Sequence, residues 1–305
     1  MSPTHVITVM AAAAKMPDLG SLDALLDGLA VKRLAGRSVP VPTSLAGTRQ
    51  VEAHAIVTEN PESLQRELTV FAEQTGVDVV CQSVAERYRR YRLAVFDMDS
   101  TLIRCEVIDQ LAAAAGVGAQ VAEITERAMR GELDFDASFR ARLALLEGLE
   151  ESHIATLADQ LPAQQGLSEL TTTLRAQGVH LVILSGGFMP FAQRLQADYG
   201  FDHVIANVLD VSAGRLTGKV VEPIVNSRAK AEALRDLAQR MNIDLASCIA
   251  MGDGANDLEM IQLAGLGVAF HAKPKVRAAA PHRINSVGLD GLCYLMGRAG
   301  EFAAD

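Results

Sequence analysis

The sequence predicts an α/β fold: a doubly wound parallel sheet with an inserted helical cap, preceded by a smaller α+β domain. Three observations carry this. After residue 92, near-continuous apolar runs are separated by helical sequence, the pattern of strands buried on both faces of a parallel sheet. The stretch between the first two of these runs is mostly helical and too long for a simple crossover. Before residue 90, strands and helices follow the order β-α-β-β-α-β, the split βαβ pattern of ferredoxin-like domains. The divisions read as 1–90 for the first domain and 91–305 for the second, with the cap at about 105–165.

The elements follow in order. "HVITVMA" reads as a strand, and 18–30 as a helix with Leu22, Leu25, Leu26 and Leu29 on one stripe. "RSVPV" and "VEAHAIVT" read as strands, 61–75 as a helix begun by Pro61, and "VDVVCQSV" as a strand. The charged "ERYRRYR", residues 86–92, reads as a solvated linker. Beyond it come the apolar segments "LAVFD", "VHLVILS", "HVIAN", "SCIAMGD" and "GLGVAF". Gly116, Gly131 and Gly148 divide the helical insertion into short helices. "GRLTGKVVE" has the form of a small β-hairpin.

A chain of 305 residues can hold two domains and a sizeable core. With 49% hydrophobic and 21% charged residues it is neither disordered nor fibrous. The net charge of −9 disfavours nucleic acid and anionic membranes as partners, and no Lys/Arg block offsets it. An anionic small substrate therefore needs locally placed cations or a metal. Cys81, Cys105, Cys248 and Cys293 are far apart, without C-x-x-C spacing, as reduced thiols of a cytosolic protein are. The run "VITVMAAAA" lacks a basic flank and is ended by Lys15, so it fits neither a membrane span nor a signal peptide. A cytoplasmic location is the expectation.

Ligands of a parallel sheet sit beyond the carboxyl ends of its strands. Asp97 and Asp99 end one strand, Ser185, Gly186 and Gly187 another, and Asp253, Gly254, Asn256 and Asp257 a third. Residues i and i+2 on extended backbone face the same way, so Asp97 and Asp99 can reach one reacting group. Such a pair suits divided labour, one as nucleophile or ligand and the other as general acid/base. Asp253 can complete an oxygen-ligand site for Mg²⁺. Singly, a D-x-D is an ordinary loop or cap, and "SGG" an ordinary turn. Together, in this order at three strand ends, they point to one site.

"DMDST", "LSGG", Lys230 and "GDGANDLEM" resemble the four motifs of the haloacid dehalogenase superfamily of phosphatases. The longer stretches "FDMDSTLIRCEVID", "ERAMRGELDFDASFRARLALLEGL" and "GDGANDLEMIQLAGLGVAFHAKP" are similar to its phosphoserine phosphatase family. The resemblance covers residues 93 to about 295. It implies a Rossmannoid core that hydrolyses O-phospho-L-serine, the last step of serine biosynthesis, through an aspartyl phosphate. Asp97 is then the nucleophile and Asp99 the general acid/base. Mg²⁺ is held by Asp97, Asp253 and the backbone carbonyl of Asp99, with Asp257 ordering metal-bound water. Ser185, Gly186, Lys230 and Asn256 belong to the phosphate and substrate subsite. A related phosphomonoesterase or a phosphotransferase is the alternative within the same chemistry; a dehydrogenase reading fails for want of a G-x-G-x-x-G after a strand. Similar enzymes carry varied N-terminal extensions, some ACT-like, which implies dimerisation or amino-acid sensing for residues 1–90.

The cap carries the substrate reading. Phe139, Leu143 and Leu146 form one stripe, and Arg142 shares it, where a charge is normally avoided. Packing of an amphipathic arginine stem explains such a residue equally well. An arginine also binds a carboxylate bidentately, and Glu106 can accept an ammonium group. The resemblance assigns these roles to Arg142 and Glu106, with Met129 and Phe135 as apolar walls.

Overall fold

The computed structural model describes residues 1–298 and 301–302, so the expected limit at 305 lies outside the described residues. Two sheets organise it. The first takes β1 (His5–Ala12), β2 (Lys32–Ser38), β3 (Arg49–Val57) and β4 (Asp78–Ser83) in the antiparallel order β2-β3-β1-β4. Helices α1 (Leu19–Gly28) and α2 (Pro61–Thr75) cover one face, burying Leu22, Leu26, Leu64, Leu68 and Phe71 against Ile7, Val9 and Ile56. This is the expected β-α-β-β-α-β order. The strand read at "RSVPV" sits earlier, at Lys32–Ser38. Pro40 and Pro42 lack the N–H a ladder needs. "KRLAGRS" is an almost wholly exposed edge and shows no alternation to read.

The opposite face of this sheet is not solvated. Met10, Val51 and Val80 join the core of the second sheet. The expected solvated linker at 86–92 is likewise corrected. Arg87, at the end of the short α3 (Val84–Arg87), is 1% exposed, and Tyr91 is buried. Arg87 donates to Thr8 Oγ1 (2.8 Å), to the Tyr294 carbonyl (2.7 Å) and to both Glu301 oxygens (2.7 and 3.0 Å). Long-range partners capture one arginine of a run that looks uniformly solvated, while Arg89, Arg90 and Arg92 stay exposed.

The second sheet has seven strands: β5 (Leu93–Phe96), β6 (His180–Phe188), β7 (His203–Ser212), β8 (Arg215–Val221), β9 (Cys248–Gly252), β10 (Leu266–Phe270) and β11 (His282–Ile284). Their order is β11-β10-β9-β5-β6-β7-β8, parallel except for β8 against β7. Ala94 and Phe96 face one core while Leu93 and Val95 face the other, so the run is apolar without a break. Helices α8 (Leu167–Ala176) and α9 (Met189–Tyr199) contribute to the first core. Helices α10 (Ser227–Arg240), α11 (Leu258–Leu263) and α12 (Pro274–Ala279) contribute to the second.

The cap is four helices inserted after β5: α4 (Val107–Ala114), α5 (Gly118–Met129), α6 (Phe135–Ala144) and α7 (Glu151–Ala158). A bridge between Ile103 and Ala163 brings its two chain ends together. The segment "GRLTGKVVE", expected to be a hairpin by itself, is instead the single strand β8; its partner is the preceding β7, joined by a turn at Ala213 and Gly214 with φ 50° and 74°. Among the described residues no helix is long and apolar enough to cross a membrane.

Removing one partner of a buried ion pair strands the other charge. Arg87→Ala is therefore expected to destabilise the protein by about 3–5 kcal/mol, read as a lower urea midpoint.

Candidate active site

The carboxyl ends of β5, β6 and β9 meet beneath the cap around a cavity of about 1060 Å³. Asp97, Asp99, Glu106, Met129, Phe135, Arg142, Gly186, Asp253 and Asn256 all line it. Ser185, Lys230 and Asp257 are buried beneath it.

Lys230 lies on the first turn of α10, a helix capped by Asn226, whose Oδ1 accepts from the Ala229 amide. Its side chain is fully buried, and Nζ donates to Asp97 Oδ1 (2.6 Å) and Asp257 Oδ1 (2.7 Å). Burial disfavours the ammonium, but Asp257 and Asp97 outweigh it and raise the lysine above its ordinary range. Asp257 Oδ2 also accepts from the Gly254 amide at 2.9 Å. Asp253 accepts a long hydrogen bond from Thr101 Oγ1 (3.4 Å).

Asp97, Asp253 and Asp257 place one oxygen each within 4.8 Å of one another. Three buried carboxylates, only two of them paired with Lys230, form a donor set that fits a hard divalent cation. Burial, then Asp97, Asp257 and Glu106, push Asp253 up to about 8, and burial followed by Asp97 pushes Asp257 to about 6.

Asp99 is held well above the ordinary carboxylate range by burial, then by Glu106 and Asp97. A carboxyl kept protonated is poised to give its proton to a leaving oxygen. Its Oδ1 accepts from the Val107 amide at 3.2 Å, and its other oxygen lies where a Cβ on residue 187 would sit, so glycine is needed there. Ser185 Oγ accepts from the Gly187 amide at 2.8 Å.

On the cap side, Ser100 donates to Glu106 Oε1 at 2.7 Å. Arg142 is partly buried, with Nε near the Ser138 carbonyl (3.4 Å); burial lowers its pKa while Glu106 raises it. Phe135 stacks on Phe139 with centroids 6.0 Å apart. The expected stripe of Phe139, Leu143 and Leu146 is buried. Met129 differs from Phe135: it lines the cavity yet is 74% exposed, so here it is not a closed wall.

Four contributors carry no assigned role in the sequence reading. Buried Asn207 donates to the Gly186 carbonyl and accepts from the Val225 amide, both at 2.8 Å, tying β6 to the loop before α10. Asn226 donates to Asp136 Oδ1 on α6 at 3.0 Å, joining cap to core. Lys273 and Lys275 enter the cavity from the start of α12. "HAKPK" follows an apolar run as the other site segments do, which is the one signal that marked these lysines.

Residues 94–262 match the family model of haloacid dehalogenase-like hydrolases. The chain belongs to this family. It is 44% identical over 234 residues to phosphoserine phosphatase SerB2 of Mycobacterium tuberculosis, covering 77% of this chain and 57% of that protein. To phosphoserine phosphatase of Saccharomyces cerevisiae it is 39% identical over 297 residues, covering 95% of this chain and 91% of that one. In structure it is similar to a HAD family hydrolase from Salmonella enterica serovar Typhi, with TM-score 0.84 and 32% identity over 95% of this chain and 98% of that one. The match spans 57%, 58% and 63% of the length of the relatives from Mycobacterium tuberculosis, Streptomyces coelicolor and Vibrio cholerae.

The raised pKa of Asp253 has a sign that can be measured. Between pH 4 and 8 the folded metal-free protein keeps a proton that the unfolded chain has released, so its stability falls as pH rises through that window. A cation favours the ionised carboxylate, so the thermal shift on adding Mg²⁺ is expected to be larger at pH 8 than at pH 5.

Proposed function

We propose that the protein is a phosphoserine phosphatase, hydrolysing O-phospho-L-serine to L-serine and phosphate. The observation that carries this is one cavity with two differently equipped ends. At the floor, Asp97 and Asp99 face the phosphoryl position; on the cap side, Glu106 and Arg142 offer partners for an ammonium and a carboxylate. The similarity to phosphoserine phosphatases supports the same reading.

Asp97 attacks phosphorus, and the P–O bond to the serine oxygen breaks. Asp99 gives its proton to that oxygen, then takes one from the water that hydrolyses the aspartyl phosphate. Lys230 orients Asp97 through its hydrogen bond and, with Ser185 and Gly186, holds phosphoryl oxygens; Asn256 lines the same subsite. Asp97, Asp253 and the Asp99 carbonyl would hold Mg²⁺, which neutralises charge on the phosphoryl group when bound. Asp257, with one oxygen engaged by Lys230 and the other by the Gly254 amide, orients the metal site from behind. Phe135, stacked on Phe139, is the apolar wall that shields the reaction from water. Residues 1–90 and 91–305 are two domains packed through a shared core, and the first is a candidate dimerisation surface.

Two experiments test this. Asp97→Asn is nearly isosteric but a far poorer nucleophile, so phosphate release is expected to vanish while the fold persists; substantial turnover by a folded variant removes the covalent mechanism. Arg142→Ala and Glu106→Gln are expected to raise KM for L-phosphoserine roughly 10- to 1000-fold, since a buried charged partner is worth about 1.5–3 kcal/mol or more. An aryl phosphate lacking both groups should suffer far less. Equal losses on both substrates would mean these residues do not read the amino acid.

A further inference from the structure

None of the residues lining the catalytic cavity comes from the N-terminal domain, yet a continuous run of hydrogen bonds joins the two. Asp78 opens β4 and is 3% exposed. Its carboxylate accepts from the backbone N–H groups of Asn285 (2.6 Å), Ser286 (2.9 Å) and Val287 (2.9 Å). Three successive amides around one carboxylate make an anion-holding concavity, and here it pins the segment after β11 to the N-terminal sheet.

The Val287 carbonyl in turn accepts from His271 Nε2 at 2.8 Å, and the His271 amide donates to the Ile284 carbonyl at 2.8 Å. His271 has φ 43°, in the left-handed region that a residue with a Cβ occupies only where its surroundings over-determine it. Two residues on, the Lys273 amide donates to the Asp253 carbonyl at 3.3 Å. Lys273, Pro274, Lys275 and Val276 then form one wall of the cavity. Of these four only Val276 is buried, so the wall has little packing of its own to hold it.

We propose that Asp78 is a positioning residue for the catalytic cavity: through the 285–287 amides and His271 it fixes the 271–276 wall against Asp253. Lys273 and Lys275 are the cations this wall turns toward an anionic substrate. Small displacements of such groups are costly, because catalysis depends on geometry set in advance. The N-terminal domain on this account is a buttress of the site.

The test uses the full chain. Asp78→Asn keeps the volume but turns an NH₂ group toward amide donors, so at least one of the three bonds is lost. His271→Ala cuts the next link from the catalytic side, at an exposed residue that a folded protein tolerates. Steady-state kinetics with L-phosphoserine and with p-nitrophenyl phosphate are read beside urea midpoints. The inference rests on the phosphatase reading, and the aryl phosphate separates the two: it reports on the wall even if phosphoserine is not the substrate. Each variant is expected to raise KM for both substrates by about 3- to 30-fold, with kcat within about twofold of wild type. The double variant should be no worse than the more damaged single one, since both cut the same chain. A lower urea midpoint with KM unchanged, or KM losses that multiply in the double variant, would overturn the proposal.

Discussion

The site depends on one buried cation. Lys230 has no exposed surface, and its ammonium sits between Asp97 and Asp257. An unpaired charge there would be severely penalised, and so would the two carboxylates without it. The lysine therefore gives Asp97 a charged partner in a buried setting, while Asp99, two residues away and without such a contact, is pushed toward its protonated form. Two chemically identical side chains thus acquire different surroundings, and with them different roles. The α10 N-cap by Asn226, the clasp of Asn207 on Gly186 and Val225, and the Gly254 amide on Asp257 all act to keep this arrangement in place.

A second constraint comes from the N-terminal sheet, which buries both faces. One is covered by its own helices and the other is continuous with the catalytic core through Met10, Val51 and Val80. Apolar contact supplies area, and the polar ties at Arg87, Asp78 and the Arg49–Asp290 pair set orientation. Such a joint has one register, because each buried charge would be orphaned in any other.

What was readable in the sequence follows from how local each signal is. The strands of the catalytic sheet are apolar on both faces, so they stand out, and acids at their ends mark the site edge. The split βαβ order was legible for the same reason, apart from β2. That edge strand has no buried face to imprint a pattern, and β11 has only three residues. Lys230 could be placed on a helix, but its burial between two acids arises from residues 133 and 27 positions away. Arg87 looks like its three neighbouring arginines, and only partners more than 70 positions distant single it out. Asn207 is hidden likewise: nothing adjacent to it records that it clasps Gly186 and Val225.

The cap is fastened at several places. At its chain ends, Ile103 bridges Ala163; at its far side, Leu216 on β8 exchanges backbone hydrogen bonds with Gly148 and Leu149, and Arg215 pairs with Glu150. Helices α6 and α7 flank the second attachment, and α6 is tied again through Asp136 to Asn226 and through Arg140 to Glu222. The end of the cap that carries Arg142 is thus held from several sides, while helix α5 buries only Val121 and leaves Met129 exposed at the cavity mouth. The cap is braced unevenly: firm where it offers a cation, sparse where it offers an apolar side chain.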